Sequence, residues 1–96
     1  MRKSTFTPHY QAFRARIVAM RKAAGMTQRD LAKKLKREHS FVSRMELGDR
    51  RLDVVEFFWV CQGCREDPVR VAAELMREFK KIEAAGATDR GSRRGE

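Results

Sequence analysis

The sequence predicts an all-α fold of five short helices, because three separate signals agree along it. Capping residues stand ahead of apolar-periodic stretches, and glycines follow two of those stretches. Within them apolar side chains recur at spacings of three and four. No stretch alternates apolar and polar residues convincingly enough for a strand.

The first helix is expected over 8–24. Thr7 offers an N-cap, and Pro8 suits the first helical position, where its missing N–H costs nothing. Tyr10, Phe13, Ile17, Met20 and Ala24 share one face, and Gly25 can close the helix in the left-handed conformation. The second is expected over 28–35, where Thr27 and Asp30 form a capping-box pattern ahead of Leu31 and Leu35. The third, over 39–46, turns Val42 and Met45 inward and stops at Gly48. Asp53 and Glu56 repeat the capping box for the fourth, over 53–62, with Phe57, Val60, Cys61 and Cys64 facing in. Asp67-Pro68 opens the fifth, over 68–84. Each helix is too short or too polar to stand alone, so the segment 8–85 must pack as one domain. Residues 1–7 are expected to be a flexible N-terminus, and 86–96 a disordered basic tail with nothing to bury.

Charge is placed unevenly. Residues 14–51 hold twelve Lys or Arg against four Asp or Glu, whereas residues 52–85 hold five against seven. Basic charge gathered in one half of a small domain suits a polyanion, because Lys and Arg displace the counterions condensed on phosphates. Cys61 and Cys64 form a single CxxC, which supplies half of a structural zinc site. The histidines, His9 and His39, lie far from it. The two cysteines therefore read as small apolar core residues, and no metal or cofactor is expected. No apolar run approaches the roughly 20 residues of a membrane span, and the start is too polar for a signal peptide, so a cytoplasmic protein without membrane contact is expected. His39 lies beside Ser40, but nothing orients it for nucleophilic chemistry, and no glycine loop cradles phosphate; no enzyme is expected.

The stretch 28–46 concentrates the functional signal. Two short helices crossing through a tight turn need a small residue where they touch, which Ala32 supplies. Leu31, Leu35, Val42 and Met45 give the apolar backing. His39, Ser40, Ser43 and Arg44 are then left on the outer side of the third helix, a short polar and cationic face suited to base edges and phosphates.

These residues resemble the lambda-repressor-like (XRE) helix-turn-helix family. The resemblance is carried by Met26-Thr27-Gln28-Arg29-Asp30-Leu31-Ala32, by Ser40-Phe41-Val42-Ser43-Arg44-Met45-Glu46 and by Gly48-Asp49-Arg50-Arg51. It runs without a gap over roughly 13–68. It implies a five-helix lambda-repressor-like DNA-binding domain, its helix-turn-helix formed by helices 2 and 3, acting as a homodimeric repressor on double-stranded DNA. By the same resemblance Gln28 touches a phosphate and braces the first residue of helix 3, which here is His39. Ser40, Ser43 and Arg44 match base or backbone contacts, and Arg50 and Arg51 lie in a loop that approaches phosphates. Lys36 stands where the family places a left-handed glycine, and with Arg37 it adds positive charge to the turn. Glu38 stands where a Ser or Thr cap is usual. Glu46 reads as a structural ion-pair partner, since a carboxylate near phosphate is repelled.

For dimerisation the sequence offers surplus apolar surface: Phe58 and Trp59 on helix 4, and Leu75, Met76, Phe79 and Ile82 on helix 5. The plainer alternative is that helix 5 folds back over Trp59 within one chain. Two other functions compete. One is an antitoxin or adaptor whose helices 4 and 5 hold a protein partner; the other is a metal or redox sensor using Cys61 and Cys64.

Overall fold

The computed structural model describes residues 7–86. Helices run α1 Pro8–Ala23, α2 Gln28–Leu35, α3 His39–Leu47, α4 Val54–Gly63 and α5 Pro68–Ala85. The expectations for residues 1–6 and 87–96 lie outside the described range. Thr7, assigned above to a flexible terminus, is the α1 N-cap and accepts from the Tyr10 N–H.

Local chemistry explains the boundaries. Thr27 and Asp30 close a reciprocal capping box on α2, and Asp53 and Glu56 close another on α4. Asp67 caps α5 by accepting from the Val69 N–H. Four helix ends share one closure. At Gly25, Lys36, Gly48 and Arg65 the chain turns left-handed, and two N–H groups return to carbonyls three and five residues back. Gly48 has a second constraint, because a Cβ there would meet Arg14 Nε at 3.3 Å. Ala24, expected on the inner face of α1, is instead exposed at that helix's C-cap.

Lys36 (φ 57°) and Arg65 (φ 62°) hold this conformation with a Cβ. Left-handed backbone costs an L-residue about 1–2 kcal/mol, and glycine gives back about 0.5–1 kcal/mol in unfolded-state entropy. Lys36→Gly and Arg65→Gly are each expected to raise stability by about 0.5–1 kcal/mol, read as a higher urea midpoint at unchanged slope.

The helices enclose one core. Ile17, Met20, Leu31, Val42, Met45, Val60 and Val71 are fully buried in it, and Ala32 of α2 is buried among them. α2 packs on α3 and α4, and α5 folds back against α1 and α4. His9 and Glu83 join α1 to α5 at 2.7 Å, as do Arg16 and Glu74 at 2.8 Å.

The α5 surface differs from expectation. Leu75, assigned to a dimer face, is only 5% exposed and belongs to the protomer core. Phe79 is half-buried, packed against that core with its ring edge-on to His9, and Ile82 is also half-buried. α5 therefore spends most of its broad apolar stripe within its own chain. It does not cover Trp59, which remains 51% exposed beside Phe58 at 44% and Met76 at 53%. Cys61 and Cys64 are buried free thiols, and desolvation pushes each up to about 11. They stay protonated and pack as small apolar groups.

Candidate nucleic-acid interface

The first structural task is to hold α3 against its neighbours. Phe41, Val42 and Met45 anchor its inner side. A polar network then fixes its orientation. The Arg21 guanidinium donates to both Glu46 carboxylate oxygens, at 2.6 and 3.0 Å, and to the Met26 carbonyl at 2.8 Å. Gln28 Nε2 donates to Glu46 Oε1 at 2.8 Å, while Gln28 Oε1 lies 3.1 Å from His39 Nε2. Arg14 donates to the Glu46 backbone carbonyl, placing positive charge at the α3 C-terminus, where the helix dipole favours it. Thus α1, α2 and α3 meet on one carboxylate. Glu46 is the structural partner expected of it, and Gln28 braces His39.

A second network holds the loop after α3. Arg50 pairs with both oxygens of buried Glu56, at 3.0 and 2.9 Å, and Arg37 reaches the same carboxylate at 3.5 Å. Both guanidinium groups lie over the Phe41 ring, 4.0 Å away for Arg37 and 4.6 Å for Arg50. Arg50 above all, together with the Asp53 N–H and Arg37, holds the Glu56 carboxyl well below its usual 4.5, at about 2. Because the folded value is the lower one, this pairing stabilises the protein fully above about pH 4.5. That stability is lost as pH falls toward 2. Arg50 and Arg37 are partly solvated, so the expected loss is roughly 1–2 kcal/mol rather than the full linkage value. Acid titration of urea stability should show this dependence, and Glu56→Gln should remove it.

Around these anchors Lys36, Arg37, Glu38, Ser40, Phe41, Arg44 and Arg50 line an open concavity of about 600 Å³ at the start of α3. Lys36, Arg37, Ser40 and Arg44 are exposed there. Glu38 is the α3 N-cap but makes no side-chain capping bond. Its carboxylate is the acidic group in a rim of cations. Of the other candidates, half-buried Ser43 turns its hydroxyl back to the Ser40 carbonyl at 3.3 Å. Arg51 is exposed in the following loop, outside the concavity, and its carbonyl accepts from Arg50. Lys36, Arg37, Ser40, Arg44 and Arg50 are therefore brought together around the concavity, Gln28 and His39 form a pair, and Ser43 and Arg51 adjoin the first group without lining the concavity.

Three contributors escaped sequence reading. Phe41 forms the platform under two arginines; its spacing of four from Arg37 was the available signal. Arg21 and Arg14 hold α3 from α1, and nothing local in the sequence marks them as buried or bonded. Leu47, the last residue of α3, is an exposed apolar side chain.

Comparison with known proteins agrees with this geometry. A family model described as a helix-turn-helix domain matches residues 12–76. The structure resembles that of an XRE-family like protein from Pseudomonas syringae pv. tomato str. DC3000, at 43% identity and a TM-score of 0.70. The match covers 73% of this chain and 85% of that one. No curated protein matches the chain. With the turn, the supporting helices and the cationic outer face of α3 in place, the chain belongs to the helix-turn-helix domain family and is a DNA-binding regulator of the XRE type.

Proposed function

We propose that this regulator acts in the cytoplasm as a homodimeric repressor, binding an inverted-repeat operator with one α3 in each of two successive major grooves. The observation that carries the reading is the cationic concavity at the start of α3, lined by Lys36, Arg37, Ser40 and Arg44. Arg44 and Ser40 are the base-edge or backbone readers. Lys36, Arg37 and Arg51 neutralise phosphate, and Arg50 holds the loop while adding to the field. Gln28 and His39 work as a unit at the first recognition position.

Dimerisation follows from DNA geometry. One domain of this size contacts too few base pairs for high specificity, and two half-sites supply the rest. Exposed apolar residues gather on α4, whose Val54, Val55, Phe58 and Trp59 are exposed and uncharged, and α5 adds Val69 and Met76. Leu75, at 5% exposed, offers little surface to a partner, and Phe79 and Ile82 offer their exposed edges. Repression results from occupying promoter DNA.

Sedimentation equilibrium tests the assembly. Phe58→Ser together with Trp59→Ser is expected to shift dimer to monomer and leave helical content unchanged. Operator affinity should fall at least tenfold, because the two half-sites are no longer linked. If the wild-type chain is monomeric both free and on its operator, the dimer is wrong. The same α4 surface would then be the place for a different protein partner.

A further inference from the structure

The network beneath α3 fixes more than the position of His39; it fixes where the ring's proton sits. The Glu46 carboxylate already accepts from Arg21 through both oxygens, and as a carboxylate it can only accept. The Gln28 atom 2.8 Å from Glu46 Oε1 must therefore be its amide nitrogen, which leaves the Gln28 carbonyl oxygen facing His39. A carbonyl oxygen also only accepts. The His39 Nε2 that lies 3.1 Å from it must then carry a hydrogen. In neutral imidazole one nitrogen donates and the other accepts, so Nδ1 is left as an acceptor. Among the described residues, no hydrogen bond reaches Nδ1.

We propose that the Arg21–Glu46–Gln28 relay locks neutral His39 in its Nε2-protonated tautomer, so that Nδ1 accepts a hydrogen bond from an exocyclic base amine in the major groove. The assignment rests on α3 being the reading helix. Adenine presents such an amine at N6 and cytosine at N4. Guanine and thymine present acceptors at the same edge, which an acceptor on the protein cannot satisfy. His39 is thus a specificity-determining residue, and Gln28 and Glu46 are positioning residues that act through it. A glutamine in place of His39 would offer both a donor and an acceptor. That amide can pair with adenine N6 and N7 together, whereas Nδ1 makes a single bond.

The tautomer is testable without DNA. Long-range ¹H–¹⁵N correlation spectra of the full chain at alkaline pH are expected to show His39 Nε2 bonded to hydrogen and Nδ1 bare. Gln28→Ala should give a mixture of the two tautomers in a chain that remains folded by its amide spectrum. A His39 ring carrying its hydrogen on Nδ1 in the wild-type chain overturns the proposal. The readout on DNA uses the operator obtained by selection. One position in each half-site is expected to require adenine or cytosine. Replacing that base by its analogue lacking the amine should weaken binding by about tenfold. The same replacement should have little effect on His39→Ala, and His39→Gln should narrow the position to adenine. An operator without an amine-dependent position sensitive to His39 overturns this assignment alone. Failure to select any operator overturns the DNA reading beneath it as well, whatever the tautomer.

Discussion

Glu46→Ala is expected to destabilise the fold by about 3–5 kcal/mol, the usual result of stranding one member of a buried ion pair. The Arg21 and Glu46 side chains are only 10% and 7% exposed, so little solvent screens them. Removing the carboxylate leaves Arg21 with the Met26 carbonyl as its remaining acceptor, and frees the Gln28 amide. Against the roughly 5–15 kcal/mol that holds a small domain together, such a loss brings the chain close to unfolding. Replacing both members, as in Arg21→Met with Glu46→Leu, should recover much of the stability, because the cost lies in the unpaired charge rather than in the absence of the pair. Urea unfolding at neutral pH reads both results, and a loss below about 1 kcal/mol for Glu46→Ala would contradict a buried network. The double replacement separates stability from function: it restores the fold without restoring the brace on Gln28 and His39.

The second large effect belongs to the outer face of α3. Arg44→Ala and His39→Ala are each expected to weaken specific binding by about 1–3 kcal/mol, roughly five- to 150-fold, with unfolding midpoints close to wild type. Arg44 is exposed and forms no ion pair among the described residues, so its removal strands no charge in the described core. Among the described residues the His39 side chain bonds to Gln28, at a partly solvated position. Lys36→Ala should act differently. It is expected to weaken binding to all sequences alike and to lower the salt slope by about one unit, as loss of a phosphate contact does. Titrations of operator and scrambled duplexes at two salt concentrations separate the two behaviours. Parallel losses on both duplexes for Arg44→Ala would reassign it to the phosphate backbone.

Local chemistry made most of the fold legible. The capping boxes at Thr27–Asp30 and Asp53–Glu56 are complete within four residues, so they can be read before any tertiary contact is known. Gly25 and Gly48 mark left-handed stops for the same reason. Arg65 makes the same stop without glycine, and no residue type signals it. The remaining differences are tertiary. The α5 stripe is broader than one contact needs in sequence, yet folding back against α1 and α4 takes up Leu75 and half of Phe79.

At the recognition surface, the pattern that turns Val42 and Met45 inward also turns Ser40 and Arg44 outward, and the structure keeps that division. What periodicity could not supply was the fate of the cations. Arg50 and Arg51 are adjacent and chemically alike in sequence. The structure commits Arg50 to Glu56 and Phe41, while Arg51 lies exposed in the loop. Arg21 is one more cation on α1 in sequence, but the fold buries it against a carboxylate 25 positions away. Pairing over such distances depends on how helices are juxtaposed, and one strand of text does not carry that.

The central claim is that α3 reads DNA sequence, and selection from random duplex DNA tests it most directly. The purified 96-residue chain would be used, with the enriched site then titrated against scrambled DNA at physiological salt. A palindromic motif bound about 10³-fold or more tightly than scrambled DNA, with that preference reduced roughly five- to 150-fold in Arg44→Ala, is the predicted result. Weak, salt-sensitive binding with no enriched motif, or a motif bound equally well by Arg44→Ala, would contradict it.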